Sequence, residues 1–487
     1  MIDTQAIRGK LLDLAMSGAL TIGYSAEETA EELFQSVQKK KQELISAGKI
    51  KRDNPLPAIA DDEIPFTIPC SWKWIRWGDI VNIVSARRVH QADWRKSGVP
   101  FYRAREIAKL ADNGFVNNDL FISEELFNEF SKSGVPHEND LMVSAVGTLG
   151  KTYVVRKDDR FYYKDASVLC FENFGGINPH YLALAMKSDM MRRQIGSNSG
   201  GTTVDTLTMV RMVKYLLPLP PLSEQSEIVD RIHTAFSILS TIDELQAQYA
   251  DNLTVLKGKL IDAAIQGKLT QQLPEDGTAE ELYQLVQEER QRQEAAGTIK
   301  AVELAPAISD SDKPFSIPAS WKWTNLGNVS YIVRGGSPRP IKQYITTRED
   351  GINWIKIGDV EKGGKYIYST HEKIIPEGES KSRRVYPGDF LLTNSMSFGR
   401  PYISKIEGCI HDGWLLIHGL NGFNPDYLYY LLSSTYLYGQ FTVKASGSTV
   451  DNLNIDKVKA AIIPLPPLAE QKRIAQKIDE LMPIFDR

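Results

Sequence analysis

Beyond Leu222 the chain carries apolar residues at Ile228, Ile232, Ala235, Leu239, Ile242, Tyr249, Leu253, Leu256, Leu260 and Ala263, mostly three or four positions apart. That period places them on one stripe of an α-helix, the seam of an antiparallel helix pair or coiled coil. No proline intervenes between Pro221 and Pro274, so the pattern predicts one long helix over about 222–270, with Gly258 and Gly267 as candidate stops. A shorter helix is predicted over about 278–296 (TAEELYQLVQEERQRQEAA) and a matching one over about 29–47 (TAEELFQSVQKKKQELISA). Elsewhere the pattern changes. DLMVSAV, TYVVR, NWIKIGDV and DFLLTNS are short β-branched or aromatic runs between Gly, Asn and Asp turns, and predict strands. Two more helices, Pro179 to Gln194 and Pro425 to Gln440, close the strand-rich blocks.

The pattern occurs twice. PFTIPCSWKW from Pro65 reappears as PFSIPASWKW from Pro314, eight identities in ten at an offset of 249. KLLDLAMSGALT from Lys10 matches KLIDAAIQGKLT from Lys259 at seven of twelve, at the same offset. PLPPLSEQ from Pro218 matches PLPPLAEQ from Pro464 at seven of eight, now at an offset of 246, and GTTVDTL from Gly201 returns as GSTVDNL from Gly447. Between these anchors the halves diverge almost completely. With these offsets Arg487 falls on position 241 of the copy and Met1 on position 250, so the two termini reproduce the central helix except for 242–249. The chain reads as a two-unit ring opened inside one helix, and a repeat of this kind organises the fold before any motif does.

Charge follows the same division. The net charge of −4 hides two basic blocks: residues 71–217 hold 20 Lys+Arg against 16 Asp+Glu, and residues 321–463 hold 17 against 13. The remainder holds 20 against 32. Basic blocks set between acidic ones point to a polyanion as the partner of the basic blocks. A chain of 487 residues exceeds one ordinary core and implies at least two domains. No run reaches the roughly 18 uncharged apolar residues of a spanning helix. MIDTQAIRGK lacks the apolar run of a signal peptide, and Cys70, Cys170 and Cys409 form no CxxC pair, so we expect a cytoplasmic protein without disulfides or a zinc cage.

Catalytic motifs are missing. AVGTLGKT, Ala145 to Thr152, fits a relaxed phosphate loop, but Tyr-Val-Val-Arg follows it where a helix is needed, and the copy ends Gly399-Arg400-Pro401. A strand–turn–strand with a basic tip is the better reading. The sequence holds no HExxH, no GxSxG, no GxGxxG and no NPPY-type tetrapeptide of a DNA aminomethyltransferase. Candidate DNA contacts are the basic residues of the two blocks: Arg87, Arg88, Arg103, Arg105, Lys151, Arg334, Arg339, Lys356 and Arg400, with Arg95-Lys96, Arg192-Arg193, Lys342 and Arg383-Arg384 behind them. Two pairs align between the halves, Arg103 with Lys356 and Lys151 with Arg400. Arginine or lysine at such points reaches guanine edges or phosphates.

The PLPPLSEQ/PLPPLAEQ pair, the GKL…GxLT helix ends and the IPxSWKW entrances resemble the specificity subunit of type I restriction–modification systems, over essentially the whole chain. The resemblance implies an α+β fold: two α/β target-recognition domains separated by long antiparallel helices, with a pseudo-twofold internal repeat. It implies a helical region over 1–70, a first recognition domain over 71–217, a central helical region over 218–320, a second recognition domain over 321–463 and a terminal helix over 464–487. It further implies a chain without catalysis or cofactor of its own. Each recognition domain would read half of a bipartite, asymmetric site in double-stranded DNA, and the helices would set the spacer and seat two modification (methyltransferase) subunits. S-adenosylmethionine, ATP and Mg2+ would serve those partners and the restriction subunits that join them. The competing reading is a helical scaffold that organises protein partners without reading DNA, and a steep loss of DNA affinity with salt separates the two.

Overall fold

The computed structural model describes residues 1–486 apart from 53–54, 132–134, 197–205, 362, 395–397 and 443–452. The GTTVDTL and GSTVDNL segments lie outside the described residues, except for their last residues. The chain divides into two compact units, Met1–Ala247 and Gln248–Arg487.

In the first unit the N-terminal helix, Thr4–Met16, runs antiparallel to the central helix, Leu222–Ile265. The ladder of contacts gives the direction: Ile2 N–H donates to Gln246 and Arg8 pairs with Asp243 at 2.9 Å, while Thr21 bonds Glu224 farther down. Leu12, Ala15 and Met16 are buried with Ile228 and Ile232 of the central helix, Ala30 and Val37 of the helix Ala30–Ser46, and Trp72 and Trp77. In the second unit Ile474, Ala475 and Ile478 of the terminal helix, Leu468–Leu481, are buried with Ile261, Ala264 and Ile265. The apolar stripe is thus covered toward each end of the central helix. Its middle is not: Tyr249 is 56% exposed and Leu256 46%.

The predicted long helix stops at Ile265, five residues early, and Gly258 does not interrupt it. Gly267 has φ +74, and a Cβ there would lie 2.5 Å from Pro318 Cγ. Gly18 repeats this after Met16 with φ +77 and Pro69 Cγ at 2.4 Å. Only glycine adopts this turn at so close an approach, so both copies stop their helices at one aligned point. The shorter helices span Ala30–Ser46 and Ala279–Ala295, each opened by a full capping box, Thr29 with Glu32 and Thr278 with Glu281. The helices read as Pro179–Gln194 and Pro425–Gln440 are each two helices, Pro179–Lys187 with Asp189–Gly196 and Pro425–Ser433 with Thr435–Thr442. Ser188 and Ser434 break them, with extended backbones and side-chain oxygens that accept the Met191 and Leu437 N–H groups.

The repeated octapeptide closes each unit. Strand Leu216–Leu219 pairs antiparallel with Lys73–Arg76, and Ile462–Leu465 pairs with Lys322–Asn325 in the same register. Glu224 accepts hydrogen bonds from Trp72 Nε1 at 2.8 Å and Thr21 Oγ1 at 2.6 Å; Glu470 accepts them from Trp321 Nε1 at 2.7 Å and Thr270 Oγ1 at 3.0 Å. Gln225 and Gln471 accept the N–H groups of Asn178 and Asn424 and donate to Pro220 and Pro466. The duplicated Trp, Thr, Glu and Gln are therefore one buried polar latch used twice, which explains why these positions repeat while the blocks between them do not.

Candidate nucleic-acid interface

The two blocks share little sequence, yet both contain the same three-strand unit. In the first block the strand Val99–Tyr102 lies between Phe121–Ile122, antiparallel, and Tyr162–Tyr163, parallel. In the second, Ile352–Ile355 lies between Glu372–Ile374, antiparallel, and Gly408–Ile410, parallel. Arg103 directly follows the first middle strand and Lys356 the second. Each residue is the N-cap of the helical turn that comes next, and each gives its backbone N–H to the acid three residues on, Glu106 at 3.0 Å and Asp359 at 2.7 Å. The alignment of Arg103 with Lys356 is thus an equivalence of fold position.

Both cations are also held by a carboxylate at or just ahead of the neighbouring antiparallel strand. Arg103 and Arg105 converge on buried Glu106, and Asp119, just ahead of Phe121–Ile122, lies 3.3 Å from Arg103 and 2.9 Å from Arg105. Burial alone would raise the Glu106 carboxyl, but hydrogen bonds from Arg103 and Arg105 outweigh it and hold the group below the usual carboxylate range. The Arg105 guanidinium lowers Asp119 in the same way. Lys356 pairs with Glu372, the first residue of its own antiparallel neighbour, at 2.9 Å.

The second aligned pair is also equivalent. Lys151 ends a turn between the antiparallel strands Leu141–Ser144 and Thr152–Val154, and Arg400 precedes Pro401–Ser404, the antiparallel partner of Phe390–Thr393. Ser144 Oγ accepts the Lys151 N–H and Thr393 Oγ1 the Arg400 N–H, both at 3.0 Å. The stretch AVGTLGKT is therefore a strand–turn–strand, with Gly150 N–H closing onto Ser144 O. Lys151 pairs with Asp112 at 2.5 Å. The Arg400 side chain is exposed and has no charged partner among the described residues.

The other candidates divide by location. Arg87 stacks 4.4 Å above the Phe130 ring and pairs with Glu129, while Arg88 is exposed and unpaired among the described residues. Arg339 and Lys356 meet in one open cleft of about 950 Å³ with Trp354, Glu372, His411 and Asp412. Asp412 receives Arg339 at 3.3 Å, and its backbone carbonyl accepts Arg334 Nε at 3.1 Å. Sequence reasoning missed the carboxylates. Glu106 and Asp359 were legible as i+3 capping acids, but Asp119, Glu372, Asp112 and Asp412 reach their cations through tertiary pairing alone. Among the described residues no cluster of His, Cys, Asp or Glu could hold a metal ion, and no helix is long and apolar enough to cross a membrane.

A duplicated helical frame holding two basic blocks with matched cations defines a two-module recognition protein. The family described as type I restriction modification DNA specificity domain matches residues 69–248 and again 318–485, and the chain belongs to that family. It is similar to the type I restriction enzyme EcoEI specificity subunit of Escherichia coli, at 24% identity over 99% of this chain and 89% of that protein. The EcoAI specificity subunit of the same organism is likewise 24% identical, over 98% of this chain and 88% of that one. A chain from a structure of the type I R-M system, solved in a study of its complex assembly and conformational transition, shares the fold with a TM-score of 0.55. It is 17% identical and covers 87% of this chain and 93% of that one. The chain is accordingly a specificity subunit, the sequence-specific, non-catalytic DNA-recognition member of a type I restriction–modification complex.

Proposed function

We propose that residues 71–217 and 321–463 each read one half of a bipartite, asymmetric site in double-stranded DNA. The helical segments 1–70, 218–320 and 464–487 would set the spacer between the halves and seat two modification subunits. The observation that carries this reading is the shared three-strand unit, which presents Arg103 in one block and Lys356 in the other at the same fold position. A common scaffold with dissimilar loops gives each block one docking geometry and its own base preference. The exposed Tyr249 and Leu256 on the central helix support the seating of protein partners there. Methyl transfer from S-adenosylmethionine belongs to the modification subunits in this reading, and ATP- and Mg2+-dependent cleavage to the restriction subunits. The assembly works in the cytoplasm, where the DNA is.

The test is binding of the chain, assembled with its modification subunits, to the methylated target and to scrambled duplex across a salt series. A specific reader favours the target by roughly a thousandfold or more, with both affinities falling steeply as salt rises. Equal affinity for the two duplexes would return the chain to the scaffold reading.

A further inference from the structure

We infer that Asp119 and Glu372 are specificity-determining residues: each sequesters the neighbouring candidate cation in the free protein and gives it up only on the correct DNA, which keeps that cation out of contacts with arbitrary backbone. The inference rests on the recognition reading and deepens it.

Three observations carry it. Asp119 and Glu372 come from separate, dissimilar blocks, yet one lies two residues ahead of the antiparallel neighbour of the middle strand and the other opens it, each within 3.3 Å of a cation at the equivalent N-cap. Both carboxylates are open to solvent, Asp119 with 71% side-chain exposure against 25% for Arg103 and 54% for Arg105, and Glu372 with 40% against 35% for Lys356. Such a pair is weak and opens easily, so its purpose is not stability. Finally, the second block lines one cleft with two pairs of this kind, Lys356–Glu372 and Arg339–Asp412, so both cations of the cleft carry a carboxylate partner.

The chemistry follows from charge. A neutralised cation releases no counterion from a phosphate, so a paired Lys356 adds nothing to binding of random sequence. A guanine edge offers Lys356 two acceptors in fixed positions and draws it from Glu372. Removing the Glu372 charge frees Lys356 for any phosphate, and removing that of Asp119 leaves two cations, Arg103 and Arg105, on the single charge of Glu106.

The test uses the full chain assembled with its modification subunits, the mapped target duplex and a random-sequence duplex. Glu372→Gln and Asp119→Asn keep the shape of exposed side chains. Each should bind random duplex roughly three- to eightfold more tightly at about 0.1 M salt, with a salt slope steeper by about one. The ratio of target to random affinity should fall, and the methylated motif should relax in one half only. In a Lys356→Ala background Glu372→Gln should have no such effect, because the carboxylate acts through the lysine. Unchanged or weaker random binding overturns the inference, and so does an equal gain in the Lys356→Ala background. Loss of target preference by the unmodified assembly would instead sink the recognition reading itself.

Discussion

Replacing Glu224 by alanine takes one acceptor from two buried donors at once. Trp72 Nε1 and Thr21 Oγ1 both end on its carboxylate, at 2.8 and 2.6 Å. Hydrogen bonds to a charged group contribute about 1.5–3 kcal/mol each, and orphaned buried donors keep their desolvation cost. The expected loss is therefore roughly 3–5 kcal/mol. Glu224→Gln keeps one oxygen but turns an NH2 toward the second donor, so it should cost roughly half as much. The second unit supplies a close replicate, because Glu470 makes the same two bonds to Trp321 and half-buried Thr270 at 2.7 and 3.0 Å and accepts a third from Gln272 at 2.9 Å. The assay is hydrogen exchange of the full chain under increasing urea, followed at peptides around Trp72 and around Trp321, since a two-unit chain need not unfold in one step. Glu224→Ala should lower protection around Trp72, and Glu470→Ala around Trp321, by similar free energies. A loss below about 1 kcal/mol in either, or equal losses for Ala and Gln, would refute the latch.

Three further outcomes follow. The Glu106 carboxyl is depressed in the folded chain, so it stabilises the first block above its unfolded pKa of about 4.3 and loses that contribution as pH falls through the lower folded value. Glu106→Gln should cost roughly 2 kcal/mol at pH 7 and flatten the acid dependence of exchange protection in the first block; an unaltered acid profile would count against the Arg103–Glu106–Arg105 cluster. Arg103→Ala or Lys356→Ala should weaken target binding by roughly 1–3 kcal/mol and relax one half-site only, whereas a uniform loss over all sequences would mark a phosphate contact. A heptad added near position 246, with another in the terminal counterpart, keeps the seam in register and lengthens the separator by about 10 Å, or about three base pairs. The methylated motif should then show a longer spacer between unchanged half-sites, and altered half-site bases would refute the ruler.

The frame was legible in the sequence because its signals are local or repeated. Gly18 and Gly267 stop helices through their own backbone, Thr29 and Thr278 cap within three residues, and the octapeptide states its importance by occurring twice. Strand positions such as Leu141–Ser144 and Ile352–Ile355 were readable from composition. The breaks at Ser188 and Ser434 were not, because serine within an apolar helical run is as compatible with continuation as with a cap. The candidate interface was half legible. Aligning Arg103 with Lys356 found the equivalent cations, but Asp119 and Glu372 lie 16 residues downstream in each block, across segments of unrelated sequence that include the helix Ala104–Asn113 in the first. No periodicity records such a contact.

The most direct test exchanges residues 321–463 for the corresponding block of another family member and maps the adenines methylated in cells expressing the chimera with the same modification subunits. One half-site should change to the donor's, while the other half-site stays as it was. An unchanged motif, or simultaneous change of both halves, would contradict independent reading by the two blocks.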